Sequence, residues 1–192
     1  MRIRPAVAAV LAAATLATAS CAGGTDPDRA PVAQAGPATS GTAAPPAGAP
    51  VQSSPVPVAE ILKFKGRTLT GETFDGASLA GRPVVLWFWA PWCATCAGQA
   101  ASIRDMVAAH AQQVAIVGVA GLGDEAAMHD FVGDFELAGV TQINDQKGEI
   151  WRRFEVTEQS TYVFLDRVGR MTHRGWLDSL QFETAVAAFA AG

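Results

Sequence analysis

The sequence predicts a layered α/β domain: a mixed β-sheet covered by helices on both faces. Strand-like and helix-like segments alternate through residues 58–192, the pattern that builds such layers. The run Pro83-Val84-Val85-Leu86-Trp87-Phe88-Trp89 is apolar at every position, the mark of a strand buried on both faces. A second unbroken apolar run at residues 114–120 makes the same case for a neighbouring strand.

The remaining elements follow from local chemistry. Residues 61–74 alternate around a Gly71-Glu72 break, which predicts an opening β-hairpin, an N-terminal extension to the sheet. A helix is expected over 94–110 and another over 124–137. A short strand at 140–143 and a short helix at 147–154 come next. Strands at 161–165 and 170–176 flank Asp166-Arg167-Val168-Gly169, a turn signal between antiparallel partners. The last helix opens at Asp178, with Gln181 placed to complete a capping box. Trp151 and Phe154 should pack beneath the short helix, and Trp176 is expected in the core.

Composition narrows the function. A chain of 192 residues holds one domain of ordinary size, about 100–200 residues, plus tails. Charged residues are 17% and the formal net charge is −4, which argues against a basic nucleic-acid surface. Three cysteines are too few for a disulfide-dense scaffold or a four-cysteine zinc site. No cofactor is expected.

The first 20 residues form an export signal. Arg2 and Arg4 make a positive start, residues 6–16 an apolar stretch, and small residues precede Cys21. The apolar stretch falls short of the roughly 20 residues a membrane-spanning helix needs. Thr18-Ala19-Ser20-Cys21 resembles a bacterial lipobox, which implies that Cys21 carries a lipid anchor; plain secretion is the alternative. Residues 21–57 are rich in Ala, Pro, Gly, Thr and Ser, lack any aromatic residue, and include only three charges, Asp26, Asp28 and Arg29. Such a stretch buries too little surface to offset its ordering entropy and is expected to act as a disordered tether. The folded domain is then 58–192.

The chemistry lies in Trp89-Ala90-Pro91-Trp92-Cys93-Ala94-Thr95-Cys96, where a buried strand ends and a helix begins. A C-x-x-C pair in a first helical turn puts both sulfurs on one face. Cys93, nearest the helix N-terminus, meets free N–H groups and the macrodipole, which favour a thiolate and hold its pKa below the usual value of about 8.5. Cys96, one turn further in, is expected to be more buried and to resolve a mixed disulfide. A purely structural disulfide is disfavoured because so short a loop barely restricts the unfolded chain. A metal knuckle would need further ligands, and His110, His129 and His173 are scattered.

Phe88-Trp89-Ala90-Pro91-Trp92-Cys93-Ala94-Thr95-Cys96 resembles the corner of the thioredoxin superfamily, in its exported TlpA/DsbE-type branch. Residues 118–122 (G-V-A-G-L) and 156–166 (V-T-E-Q-S-T-Y-V-F-L-D) are similar to secreted actinobacterial DsbE/DsbF lipoproteins. The resemblance runs from about Phe64 to the C-terminus. It implies a thioredoxin-like fold and thiol–disulfide exchange with Cys93 as nucleophile and Cys96 as resolving thiol. It places Trp89, Pro91 and Trp92 along the active-site corner, with Ala94 and Thr95 between the sulfurs. It also makes Glu158, Gln159, Ser160 and Thr161 a substrate-facing loop. The implied partners are thiols and disulfides of exported proteins, a membrane redox partner for recycling, and the membrane itself through the anchor.

Three positions depart from that family. Ser160 stands where a cis-proline is usual. A cis bond before a non-proline residue costs about 2.5–4 kcal/mol, which predicts trans, a reshaped loop and less covered sulfurs. Gln99 and Ala101 replace a glutamate and a proline after the cysteines, so Gln99 cannot ionise and the helix should run straight. Trp87 replaces an aspartate, leaving Glu158 or water to deprotonate Cys96. A second class of reading therefore competes: a metal-binding (copper-like) or thiol-dependent docking module, with Cys93 and Cys96 as soft ligands. A peroxidase is a third.

Overall fold

The computed structural model describes residues 57–192. The export signal, Cys21 and all but the last residue of the 21–57 tether lie outside the described residues.

Seven strands form one sheet: β1 (Lys65–Thr68), β2 (Thr73–Asp75), β3 (Val84–Trp89), β4 (Ala115–Ala120), β5 (Thr141–Asn144), β6 (Thr161–Leu165) and β7 (Met171–Gly175). Their spatial order is β2-β1-β5-β4-β3-β6-β7. The central trio β5-β4-β3 is parallel, and β6 and β7 continue antiparallel on one side. The β1–β2 hairpin is antiparallel and extends the opposite edge through β5. β3 and β4 are buried at every position, in keeping with their unbroken apolar runs.

Four α-helices cover the sheet: α1 (Ala94–His110), α2 (Glu125–Asp134), α3 (Glu149–Arg153) and α4 (Ser179–Ala191). Side chains alternate across β3, so Val85, Trp87 and Trp89 join a core with α1, α2 and α4. Val84, Leu86 and Phe88 pack on the other face against Ile150 and Trp151 of α3 and against Phe154. Among the described residues no helix is long and apolar enough to cross a membrane. The capping box at Asp178 is present, with Asp178 accepting from the Gln181 N–H and Gln181 accepting from the Asp178 N–H.

Two helices end earlier than their apolar patterns predict. α2 stops at Asp134 because Glu136 takes a left-handed φ of 56°, and the Leu137 N–H returns to the Val132 carbonyl at 2.9 Å. α3 stops at Arg153 in the same way, with Glu155 at φ 52° and the Val156 N–H bonded to the Trp151 carbonyl at 2.9 Å. Both are Schellman closures with glutamate in the place glycine usually takes, so the sequence carried no stop signal. Trp176 also departs from expectation. It is 57% exposed because it follows β7, an edge strand whose side chains alternate between partly buried and exposed.

Candidate active site

The sheet order creates the site. β3 lies between the parallel β4 and the antiparallel β6. At the end where the chain leaves β3 toward Cys93, it is therefore flanked by the loop that follows β4 and the loop that precedes β6.

Cys93 has extended backbone angles and caps α1 with its own sulfur, which accepts the Cys96 N–H at 3.0 Å. The two cysteines are joined as a disulfide with their Cα atoms 5.2 Å apart. Cys93 is 7% exposed and Cys96 not at all. Ala94 and Thr95 lie on the exposed side of the first turn. α1 runs unbroken past Ala101.

Pro91 is half-buried, and Trp92 is exposed yet held, its indole N–H donating to the Leu122 carbonyl at 2.7 Å. A cleft of about 330 Å³ opens beside these two residues, over Phe131 and Phe135, with Asp130 and Asp134 on its edge. Trp89 lies beneath the corner. It is fully buried, stacks on Phe131 at 4.4 Å between ring centroids, and donates its N–H to Gln142 at 2.9 Å.

The peptide between Gln159 and Ser160 is cis, where the sequence predicts trans. The preference of an isolated amide takes no account of tertiary partners. Here Ser160 is buried, its hydroxyl donates to the side-chain oxygen of Gln99, and Thr161 is already paired with Phe88. The expected uncovering of the sulfurs does not follow either, since both cysteines are buried. Glu158 is exposed; its carbonyl accepts the Thr161 hydroxyl at 2.8 Å. Gln159 is partly buried and Thr161 buried.

Gln99 lies one turn beyond Cys96 on the buried face of α1. Its oxygen accepts the Trp87 indole N–H at 3.2 Å as well as the Ser160 hydroxyl, and its amide donates to the Leu177 carbonyl at 2.9 Å. Sequence reasoning saw Gln99 and Trp87 as absent acids and missed both this hub and Leu122. No local signal could have revealed contacts between residues so far apart in the chain. Tyr162, next to Thr161, is fully buried, and burial pushes its phenol well above the usual range. Among the described residues no three His, Cys, Asp or Glu side chains group as a metal site.

The chain and its fold have known relatives. The model of the AhpC/TSA family matches residues 58–174. The soluble secreted antigen MPT53 of Mycobacterium tuberculosis is 44% identical over 113 residues, covering 59% of this chain and 64% of that protein. The match thus spans less than two thirds of that relative's length. Among solved structures, MTB dsbF in its mixed oxidized and reduced forms superposes with a TM-score of 0.64 at 41% identity, over 70% of this chain and 99% of that one. A secreted Mycobacterium tuberculosis disulfide oxidoreductase homologous to E. coli DsbE gives 0.62 at 40%, over 67% and 98%. This chain shares their thioredoxin-like fold.

Proposed function

This chain belongs to the AhpC/TSA family, and from that membership and the geometry of its dithiol we propose that it is an extracytoplasmic thiol–disulfide oxidoreductase acting on cysteines of exported proteins. The observation that carries this reading is the Cys93–Cys96 disulfide at the N-terminus of α1, with the less buried sulfur capping the helix.

In the donor direction, a substrate thiolate attacks Cys93 Sγ. The Cys93–Cys96 bond breaks and Cys96 leaves as a thiolate. A second substrate thiolate then attacks the substrate sulfur of the mixed disulfide and expels Cys93. The substrate gains a disulfide, and this chain takes up the two electrons as its dithiol. The N–H that Cys93 Sγ accepts in the oxidised form stands ready to stabilise the departing thiolate. The reductive direction is the same sequence reversed. Export to a compartment where disulfides persist favours donation.

The organisation we propose is a signal at 1–20, a tether at 21–57 and the catalytic domain at 58–192. The lipobox-like Thr18-Ala19-Ser20-Cys21 supports lipid anchoring at Cys21 on the outer face of the cytoplasmic membrane. A membrane redox partner would restore the disulfide. Labelled fatty acid incorporated into the wild type and absent from Cys21→Ser would support the anchor; equal labelling of both would remove it.

The decisive experiment is the reduction potential of the Cys93–Cys96 pair by glutathione equilibration. A potential well above about −200 mV marks a disulfide donor, and one near the −270 mV of thioredoxin marks a reductant. A pair that forms no disulfide under any glutathione ratio overturns the reading.

A further inference from the structure

The cleft of about 330 Å³ beside the dithiol corner combines an apolar floor with an acidic rim. It opens at Pro91 and Trp92, the two residues that precede Cys93. Phe131 and Phe135 form the floor, their ring centroids 4.6 Å apart. Trp92 is 61% exposed, a costly place for so large an apolar ring unless something covers it. Its indole N–H is bonded to the Leu122 carbonyl at 2.7 Å, so the ring stands as a fixed wall of the cleft.

Asp124, Asp130 and Asp134 supply the rim, and among the described residues no Lys, Arg or His lines the cleft. Asp124 is committed as the N-cap of α2, where it accepts the Ala127 N–H at 2.8 Å. Asp130 and Asp134 are exposed, and neither takes part in an ion pair among the described residues. They stand one helical turn apart, where like charges repel. Asp134 also closes α2 at the end where the helix dipole disfavours an anion. Neither placement helps the helix, and a cation seated in the cleft relieves both.

We propose that this cleft is a specificity subsite for a Lys or Arg side chain lying close in sequence to the substrate's reacting cysteine. The aliphatic stem covers Phe131 and Phe135, and the cationic head meets the face of the Trp92 indole and the carboxylates of Asp130 and Asp134. A purely apolar side chain would fill the floor and leave the carboxylates unanswered, and an acidic one would be repelled. The inference rests on the oxidoreductase reading above and deepens it, naming which exported polypeptides exchange fastest: those with a basic residue beside the cysteine.

The test uses the oxidised full chain and two unstructured peptides, each with two cysteines, that differ only in carrying Lys or Glu beside the first cysteine. The readout is the ratio of kcat/KM for the Lys peptide to that for the Glu peptide. At low salt wild type should favour the Lys peptide about tenfold, as a cation–π contact and an exposed ion pair together do. The ratio should shrink as salt is raised. Asp130→Asn/Asp134→Asn should bring it to about twofold or less. Glu60→Gln/Glu72→Gln removes the same two charges outside the cleft and should keep the wild-type ratio. Any difference in the peptides' own thiol reactivity cancels between variants, and all four acids are exposed, so folding is not at stake. A ratio that survives in Asp130→Asn/Asp134→Asn would overturn the proposal. So would a ratio lost equally in both double variants, which would assign the preference to the chain's net charge. Wild type that oxidised both peptides equally would remove the subsite and leave the oxidoreductase reading standing; wild type that oxidised neither would overturn that reading and the subsite with it.

Discussion

The indole N–H of Trp89 on β3 donates to the side-chain oxygen of Gln142 on β5 at 2.9 Å, passing over Gly118 of the intervening β4. The bond is possible because Gly118 has no side chain. A Cβ there would collide with the Gln142 oxygen and lie 3.0 Å from the Trp89 nitrogen. Gly118→Ala should cost about 1–3 kcal/mol, the usual penalty for overpacking a tight core. Urea unfolding would show it as a lower midpoint with an unchanged slope. A midpoint equal to wild type would mean that Gln142 can move aside freely.

The two cysteines should separate by role. Cys93→Ser should abolish thiol–disulfide exchange, since the remaining thiol is fully buried. Cys96→Ser should keep the attacking sulfur and accumulate a mixed disulfide with a substrate peptide, visible by mass spectrometry after acid quenching. Trapping by Cys93→Ser instead would reverse the assignment.

Asp145 supplies a pH dependence whose sign is fixed by its surroundings. Its two carboxylate oxygens accept the N–H groups of Glu149 and Trp151, each at 2.8 Å, at the start of α3. Burial nevertheless pushes its carboxyl above the usual range, with the backbone hydrogen bonds only partly offsetting it. A raised folded-state value means that the folded protein binds the proton more tightly than the unfolded chain. The stability this contributes is fully present below the unfolded value, about 3.9, and is lost as pH rises through the folded one. Asp145→Asn does not titrate, so the unfolding free energy of wild type minus that of the variant should fall as pH rises from about 4. Chemical denaturation at several pH values would measure it, and a difference that grew with pH would refute the assignment.

α4 depends on its cap. Asp178 accepts the Gln181 N–H at 2.8 Å and completes the reciprocal box. Asp178→Ala should destabilise by about 1 kcal/mol and Asp178→Ser by much less. Thermal unfolding of the two variants side by side checks this. An alanine variant as stable as the serine one would show that packing of Phe182 and Val186 alone holds the helix.

The order of strands and helices, the cysteine corner and the Asp178 cap were all legible in the sequence. Each is a local matter: apolar runs, a C-x-x-C at a strand-to-helix junction, and an acceptor three residues before a glutamine. α1 was predicted with its observed limits, Ala94–His110, for the same reason.

What depended on the folded arrangement is what lies between elements. Gln99 and Ser160 are 61 residues apart, and Trp89 and Gln142 are 53 apart. No periodicity or spacing records such pairs, because strand order and register decide which side chains share a space. Even the signals for chain geometry were overruled by tertiary partners. Ser160 takes a cis bond in a buried site, and Glu136 and Glu155 take left-handed angles in closures that glycine usually makes. Local chemistry wrote the elements and the two sulfurs, whereas the hub behind them exists only because β6 lies beside β3 and brings Ser160 to α1.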